Sequence, residues 1–162
     1  MSFSIILCAE LKNRGFTDLY EYDLDTNPAL LGEYAHDCEF VFHLAGVNRP
    51  ENPEDFMRGN FGFTSNLLEA LKQHHNQCPI VLSSSIQAER NNEYGNSKRA
   101  GERLLAEYGE QTGAKVLIYR FPNLFGKWSR PNYNGVIATF CHNISRGFPI
   151  QINDPDAEIC FA

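Results

Sequence analysis

The 162 residues suffice for one domain of ordinary size and are too few for two complete ones. A hydrophobic content of 43% against 21% charged residues excludes a disordered tail, and 20 acidic against 14 basic side chains leave a net charge of −6 that a nucleic-acid backbone would repel. Cys8, Cys38, Cys78, Cys141 and Cys160 are scattered, with no Cys-x-x-Cys or His-rich spacing to clamp a metal, and read as reduced thiols of a cytoplasmic protein. The N-terminal apolar run, residues 3–9, lacks a basic flank and is closed by Glu10, so neither an export signal nor a membrane span is expected.

Strands and helices alternate along the chain. Ile5, Cys8, Ala9 and Leu11, with Gly15 as a stop, predict a first helix. Residues 17–22 (TDLYEY) have strand composition and end at Asp23, and residues 27–38 look helical, with Pro28 suited to a first turn. Residues 40–45 (FVFHLA) form a short apolar run bounded by Gly46, the pattern of a parallel strand covered on both faces. Phe63, Leu67, Leu68 and Leu71 then fall at helical spacing, with Gly59 and Gly62 as weak points at the start and His74-His75 as a polar end. Residues 80–82 are a third strand running into Ser83-Ser84-Ser85. Residues 97–112 are an amphipathic helix with Ala100, Leu104, Leu105 and Tyr108 on one side, capped by Gly113. A strand at 115–120, a loop at 122–126, a helix at 134–146 and a short strand at 149–152 complete the order. The alternation predicts an α/β, Rossmann-like, doubly wound and mostly parallel sheet, whose ligands sit off the carboxyl ends of its strands.

Those ends carry a constellation. Tyr94-x-x-x-Lys98 opens the helix that runs to Thr112, and residues four apart share a helical face. An ammonium beside a phenol favours the phenolate, so Lys98 is expected to lower the pKa of Tyr94 and ready it for proton transfer. A hydroxyl at the preceding strand end, Ser85 first and Ser84 next, is placed to hydrogen-bond a substrate carbonyl. His43, inside an apolar strand, reads as a hydrogen-bonded core residue. Tyr119, Trp128 and Tyr133 either stack on a uracil or pack.

HLAG (43–46), SSS (83–85), YGNSK (94–98) and RFPNLFG (120–126) together make the chain resemble the extended short-chain dehydrogenase/reductases, the NAD-dependent epimerase/dehydratase group. That resemblance implies Tyr94 as acid/base, Ser85 as the group orienting the keto oxygen, and Lys98 also holding the nicotinamide ribose. It places Leu44, Ala45, Gly46, Ser83 and Pro122 against the cofactor, Asp23 at the adenosine ribose, and Asn123 at the substrate. Asp23 has an alternative as the turn residue of a strand–helix junction. Asn48 and Arg49 are expected near the hexose or its pyrophosphate, with a solvated loop as the alternative for Arg49. The runs HLAGVNRPE (43–51), LSSSIQA (82–88) and FPNLFGKW…PNYNGVIATF (121–140) are very similar to the bacterial capsular-polysaccharide reductases that act on a UDP-linked 4-keto-6-deoxy-N-acetylhexosamine. Those enzymes are oligomeric, so a homo-oligomer is implied, and their NADPH habit competes with a slight lean to NAD from Asp23. Their zinc-binding cupin domain has no counterpart here, so no metal is expected.

Ile86-Gln87 stands where a dehydratase of the wider group carries Asp-Glu, which disfavours dehydration and leaves reduction or C4 epimerisation. The Gly-x-x-Gly-x-x-Gly turn of a dinucleotide fold is absent, so a single partial Rossmann-like domain over residues 1–162, short of its first strand and shortened at both ends, is expected. In strand order 3-2-1-4-5-6, losing that strand would strip the strands near Thr17 and Ile80 of a common neighbour. A non-catalytic remnant is the alternative to an enzyme.

Overall fold

The computed structural model describes residues 2–48, 50–133 and 135–162, which fall into two compact units: Asp18–Arg120, and the segment through Thr17 with Phe121–Ala162.

In the larger unit, helix α2 (Leu30–Asp37) leads into strand β1 (Val41–His43). A short helix α3 (Glu54–Phe56), a π-helical turn (Met57–Gly62) and helix α4 (Phe63–Gln73) follow without a break. Strand β2 (Ile80–Ser85), a 3-10 turn (Ile86–Glu89), helix α5 (Glu93–Thr112) and strand β3 (Val116–Phe121) complete it. The sheet order is β1-β2-β3, with β1 and β2 parallel and Val41, Phe42 and His43 opposite Ile80, Val81 and Leu82. Among the described residues this is the expected Rossmann-like sheet, with three strands.

One face of the sheet carries the core. Leu67, Leu68, Ala70 and Leu71 of α4 meet Leu105 and Tyr108 of α5, Ile80 and Leu82 of β2, and Ala35 of α2. Leu71, Ile80 and Leu105 are fully buried, which stabilises the unit by about 1.5–3 kcal/mol per side chain. The expectation of cover on both faces fails for β1: alternation turns Phe42 away from the core, and it stays 39% exposed beside Phe40.

Local signals set the element ends. The Asn92 side chain accepts from the Gly95 amide at 2.7 Å, starting α5 four residues before 97, and Gly113 ends it in the left-handed region at φ 80°. Two expected strands are absent. Residues 17–22 have no regular structure, because no strand among the described residues offers them a ladder. The strand at 149–152 is likewise irregular backbone. The expected loss of a neighbour is also corrected: β2 has a neighbour on each side, and the edge strands are β1 and β3.

The smaller unit holds helices α1 (Ser2–Asn13) and α6 (Val136–Ile144). Helix α1 ends at Gly15, φ 89°, as its sequence predicts. Phe3 meets Phe121 edge-on at 5.5 Å, and Asn123 forms a parallel bridge with Phe161.

Candidate active site

The carboxyl ends of β1 and β2 and the first turn of α5 bring together most of the larger unit's expected site residues. Strand alternation sorts the serine triplet: Ser83 and Ser85 share one face, while Ser84 joins Ile80 and Leu82 on the buried one. Ser84 donates its hydroxyl to Glu102 Oε1, and Arg120 grips the same carboxylate through Nε (2.9 Å) and Nη2 (2.6 Å). Burial pushes the Glu102 carboxyl up, but the Arg120 and Ser84 hydrogen bonds outweigh it and hold the group below the usual carboxylate range. Ser84 therefore supports β2 from behind rather than facing the cleft.

Ser85 is the N-cap of the 3-10 turn, where its Oγ accepts from the Gln87 amide at 3.2 Å. Its side chain is also the group that draws the Tyr94 phenol's pKa back down. The Tyr94 phenol donates to Asn48 Oδ1 at 3.2 Å, and the Lys98 ammonium sits 5.9 Å from the centre of the Tyr94 ring. Lys98 is 8% exposed and donates to the Ser83 carbonyl at 3.5 Å. Burial pulls its pKa down, with the Glu102 carboxylate opposing.

The expected effect of Lys98 on Tyr94 is corrected. Burial raises the phenol above its ordinary value, and the group that pulls it back is Ser85, not the ammonium. A half-buried phenol loses more hydration on ionising than a cation beside its ring, rather than at its oxygen, returns.

Asn60 is the residue that sequence reasoning missed. It lies in the π-helical turn, 4% exposed. Its Oδ1 accepts from the Val47 amide at 2.9 Å, and its Nδ2 donates to the Val47 carbonyl at 3.2 Å and to Ser97 Oγ at 2.9 Å. Ser97 Oγ in turn donates to the Tyr94 carbonyl at 2.8 Å. Thr64 Oγ1 donates to the Asn60 carbonyl at 2.6 Å, which leaves His43 Nε2, at 2.7 Å, as donor to Thr64. His43 is thus the hydrogen-bonded core residue expected of it, neutral because burial and then Lys98 lower its pKa to about 4. The visible signal was the pair of glycines flanking Asn60: a Cβ on Gly59 would collide with the Val47 side chain.

Gly46 closes the pocket wall. A Cβ there would fall 2.8 Å from Lys98 Nζ and 2.9 Å from Asn60 Oδ1, so only glycine lets the HLAG backbone lie on the ammonium. Ala45 and Gly46 remain exposed, leaving an open face beside Lys98 that suits the nicotinamide end of a dinucleotide. Asp23 sits in a turn of its own instead of at a strand end: its Oδ1 accepts from the Asp25 amide at 3.1 Å and from Thr26 Oγ1 at 3.2 Å. Pro122 and Asn123 belong to the smaller unit, where Asn123 Nδ2 donates to the Cys160 carbonyl at 3.2 Å. In that unit Lys127 covers the Trp128 ring at 4.7 Å and Arg130 the Tyr133 ring at 5.4 Å. Arg49 lies outside the described residues. Among the described residues no three His, Cys, Asp or Glu side chains gather as metal ligands, and no helix is long and apolar enough to cross a membrane.

A Rossmann-like sheet with a Ser-Tyr-Lys cluster at its strand ends defines a class, and the profile of the NAD dependent epimerase/dehydratase family matches residues 6–156. The chain belongs to that family. It is 52% identical over 153 residues to the UDP-2-acetamido-2,6-beta-L-arabino-hexul-4-ose reductase of Pseudomonas aeruginosa, a match covering 94% of this chain and 41% of that enzyme. Among solved structures, the capsular polysaccharide assembling protein CapF from Staphylococcus aureus matches with a TM-score of 0.78 and 44% identity, over 95% of this chain and 43% of that one. RMD from Pseudomonas aeruginosa, solved with NADPH, shares the fold at a TM-score of 0.67 and 24% identity, over 86% of this chain and 56% of its own. The chain thus spans about two fifths of the length of the first two relatives.

Proposed function

We propose that this chain is a partial Rossmann-like domain of a cytoplasmic reductase that uses NAD or NADP to reduce a UDP-linked 4-keto-6-deoxy sugar for surface polysaccharide synthesis. The observation that carries the reading is Lys98 set between the Tyr94 ring, the Ser83 carbonyl at the end of β2 and the open Gly46 backbone. The bound nicotinamide would supply the hydride. Reduction of a ketone also needs a proton at the carbonyl oxygen, and a phenol held above its ordinary pKa is protonated at neutrality and ready to give one. Ser85, whose Oγ accepts from the Gln87 amide, would turn its proton from the phenol to the same oxygen. Lys98, anchored on the Ser83 carbonyl, would hold the ribose hydroxyls. Asn48, whose Oδ1 accepts the Tyr94 hydrogen bond, would yield that place to the sugar.

The test is steady oxidation of NADPH or NADH on addition of the UDP-4-keto sugar. A C4 epimerase would interconvert sugar nucleotides with no net change in cofactor absorbance, and a catalytically silent chain would give neither signal; both results would overturn the reductase reading.

A further inference from the structure

Away from the strand ends that carry the candidate site, at the opposite end of β2, two thiols face each other. Cys38 caps the end of α2 and Cys78 lies just before β2, separated by 40 positions in sequence, yet their sulfurs are 3.7 Å apart. One side chain holds both in place. Asn76 Nδ2 donates to the Ala35 and Cys38 carbonyls at 2.8 Å each and reaches Cys38 Sγ at 3.6 Å, while Asn76 Oδ1 accepts from the Cys78 amide at 2.9 Å. The Asn76 carbonyl is itself fixed by the buried Tyr108 hydroxyl at 2.9 Å. A pair pinned this way needs side-chain rotation and little backbone movement to reach bonding distance.

The two thiols are unequal. Cys38 is half-buried and reachable from solvent, whereas Cys78 is 8% exposed. The hydrogen bond between the two sulfurs, in which either can donate, holds the Cys38 thiol below its usual range against the pull of burial and, together with burial, pushes Cys78 up. A more accessible thiol beside a buried one is the arrangement of an attacking and a resolving cysteine.

We propose that Cys38 and Cys78 form a reversible redox modification site, in which Cys38 is oxidised by a hydroperoxide and Cys78 resolves it to an intramolecular disulfide. The Cys38 thiolate attacks the peroxide oxygen, the O–O bond breaks, and the alcohol or water leaves with a proton, giving the sulfenic acid. Cys78 sulfur then displaces the sulfenic hydroxyl, which departs as water with the Cys78 proton. The two thiols lose two electrons and two hydrogens, and the peroxide gains them. Exchange with a low-molecular-weight disulfide reaches the same product through a mixed disulfide at Cys38, with one small thiol leaving when that forms and a second when Cys78 resolves it. The bond would tie the end of α2 to the start of β2.

The test treats the whole chain with hydrogen peroxide and maps its peptides by mass spectrometry without reduction. The expected product is a Cys38–Cys78 linked peptide pair lighter by two hydrogens and restored by dithiothreitol. Cys78→Ser should lose the cross-link and leave a sulfenic acid at Cys38 that dimedone traps, and Asn76→Ala should lose most of the cross-link while still folding. Peroxide uptake confined to the exposed Cys141 and Cys160, with Cys38 and Cys78 both recovered as thiols after unfolding, would overturn the proposal. So would a yield of disulfide at Cys78 unaffected by Cys38→Ser, which would pair Cys78 with another cysteine. Because the readout is peptide mass, it stands apart from turnover.

Discussion

The Asn60 carboxamide donates to Ser97 Oγ across 2.9 Å and thereby joins the HLAG loop to the helix of Tyr94 and Lys98. Its other two hydrogen bonds close on both polar groups of the Val47 backbone. A single side chain therefore sets the distance between the open backbone at Gly46 and the ammonium beneath it.

Asn60→Ala is expected to destabilise the protein by about 2 kcal/mol, since the Val47 groups and Ser97 lose partners in a largely buried place. Urea unfolding of the two proteins measures it. A change within experimental error would mean that water replaces the carboxamide and that the junction is not held by Asn60.

His43 makes stability depend on pH. Its folded pKa is lowered to about 4 from the ordinary 6.5, so the unfolded chain binds its proton first as pH falls. The contribution is therefore intact above pH 6.5 and is lost progressively down to about 4, by roughly 3 kcal/mol in all. Urea midpoints between those pH values should fall less steeply in His43→Gln than in the parent. Parallel slopes would place the proton elsewhere.

Two glycines should tolerate alanine differently. At Gly95 a Cβ meets the Gln87 carbonyl oxygen and lies 2.5 Å from the Arg90 carbonyl, both backbone, so Gly95→Ala must displace the first turn of α5 and is expected to cost about 2 kcal/mol or more. At Gly46 the obstacles are the ends of the Lys98 and Asn60 side chains. Gly46→Ala should fold, with a smaller loss in melting temperature, yet bind nicotinamide nucleotides more weakly because Lys98 is pushed aside. Equal losses of stability in the two variants would contradict this distinction.

The Tyr94 proton predicts a pH profile. With the phenol above its ordinary 10.0, the rate of carbonyl reduction should hold through neutrality and fall only beyond that value. Ser85→Ala removes the hydrogen bond that lowers the phenol, so the alkaline limb should move further up. Tyr94→Phe should slow turnover by about 100-fold to 10,000-fold. A limb near neutrality would assign the proton to another group.

Much of this was written locally in the sequence. The α5 helix, its Gly113 stop and the β2 serines follow from spacing, a left-handed cap and period-two alternation, which also turns Ser84 inward. What escaped depends on neighbours. Residues 17–22 have strand composition but no ladder to join, and Asp23 accordingly folds onto Asp25 and Thr26. Asn60 was hidden because a π-helical turn breaks the 3.6-residue period that picks out faces. The direction of the Tyr94 shift required its burial, which four-residue spacing to Lys98 does not reveal.

Calorimetric titration of NAD, NADP and their reduced forms into the parent chain and Lys98→Met tests the central claim, that Ser85, Tyr94 and Lys98 surround one nicotinamide site. At least one nucleotide should release heat with the parent, and Lys98→Met should weaken it by about tenfold or more, a loss of about 1.4 kcal/mol. Absence of heat with all four nucleotides, or equal affinity in the two proteins, would contradict it.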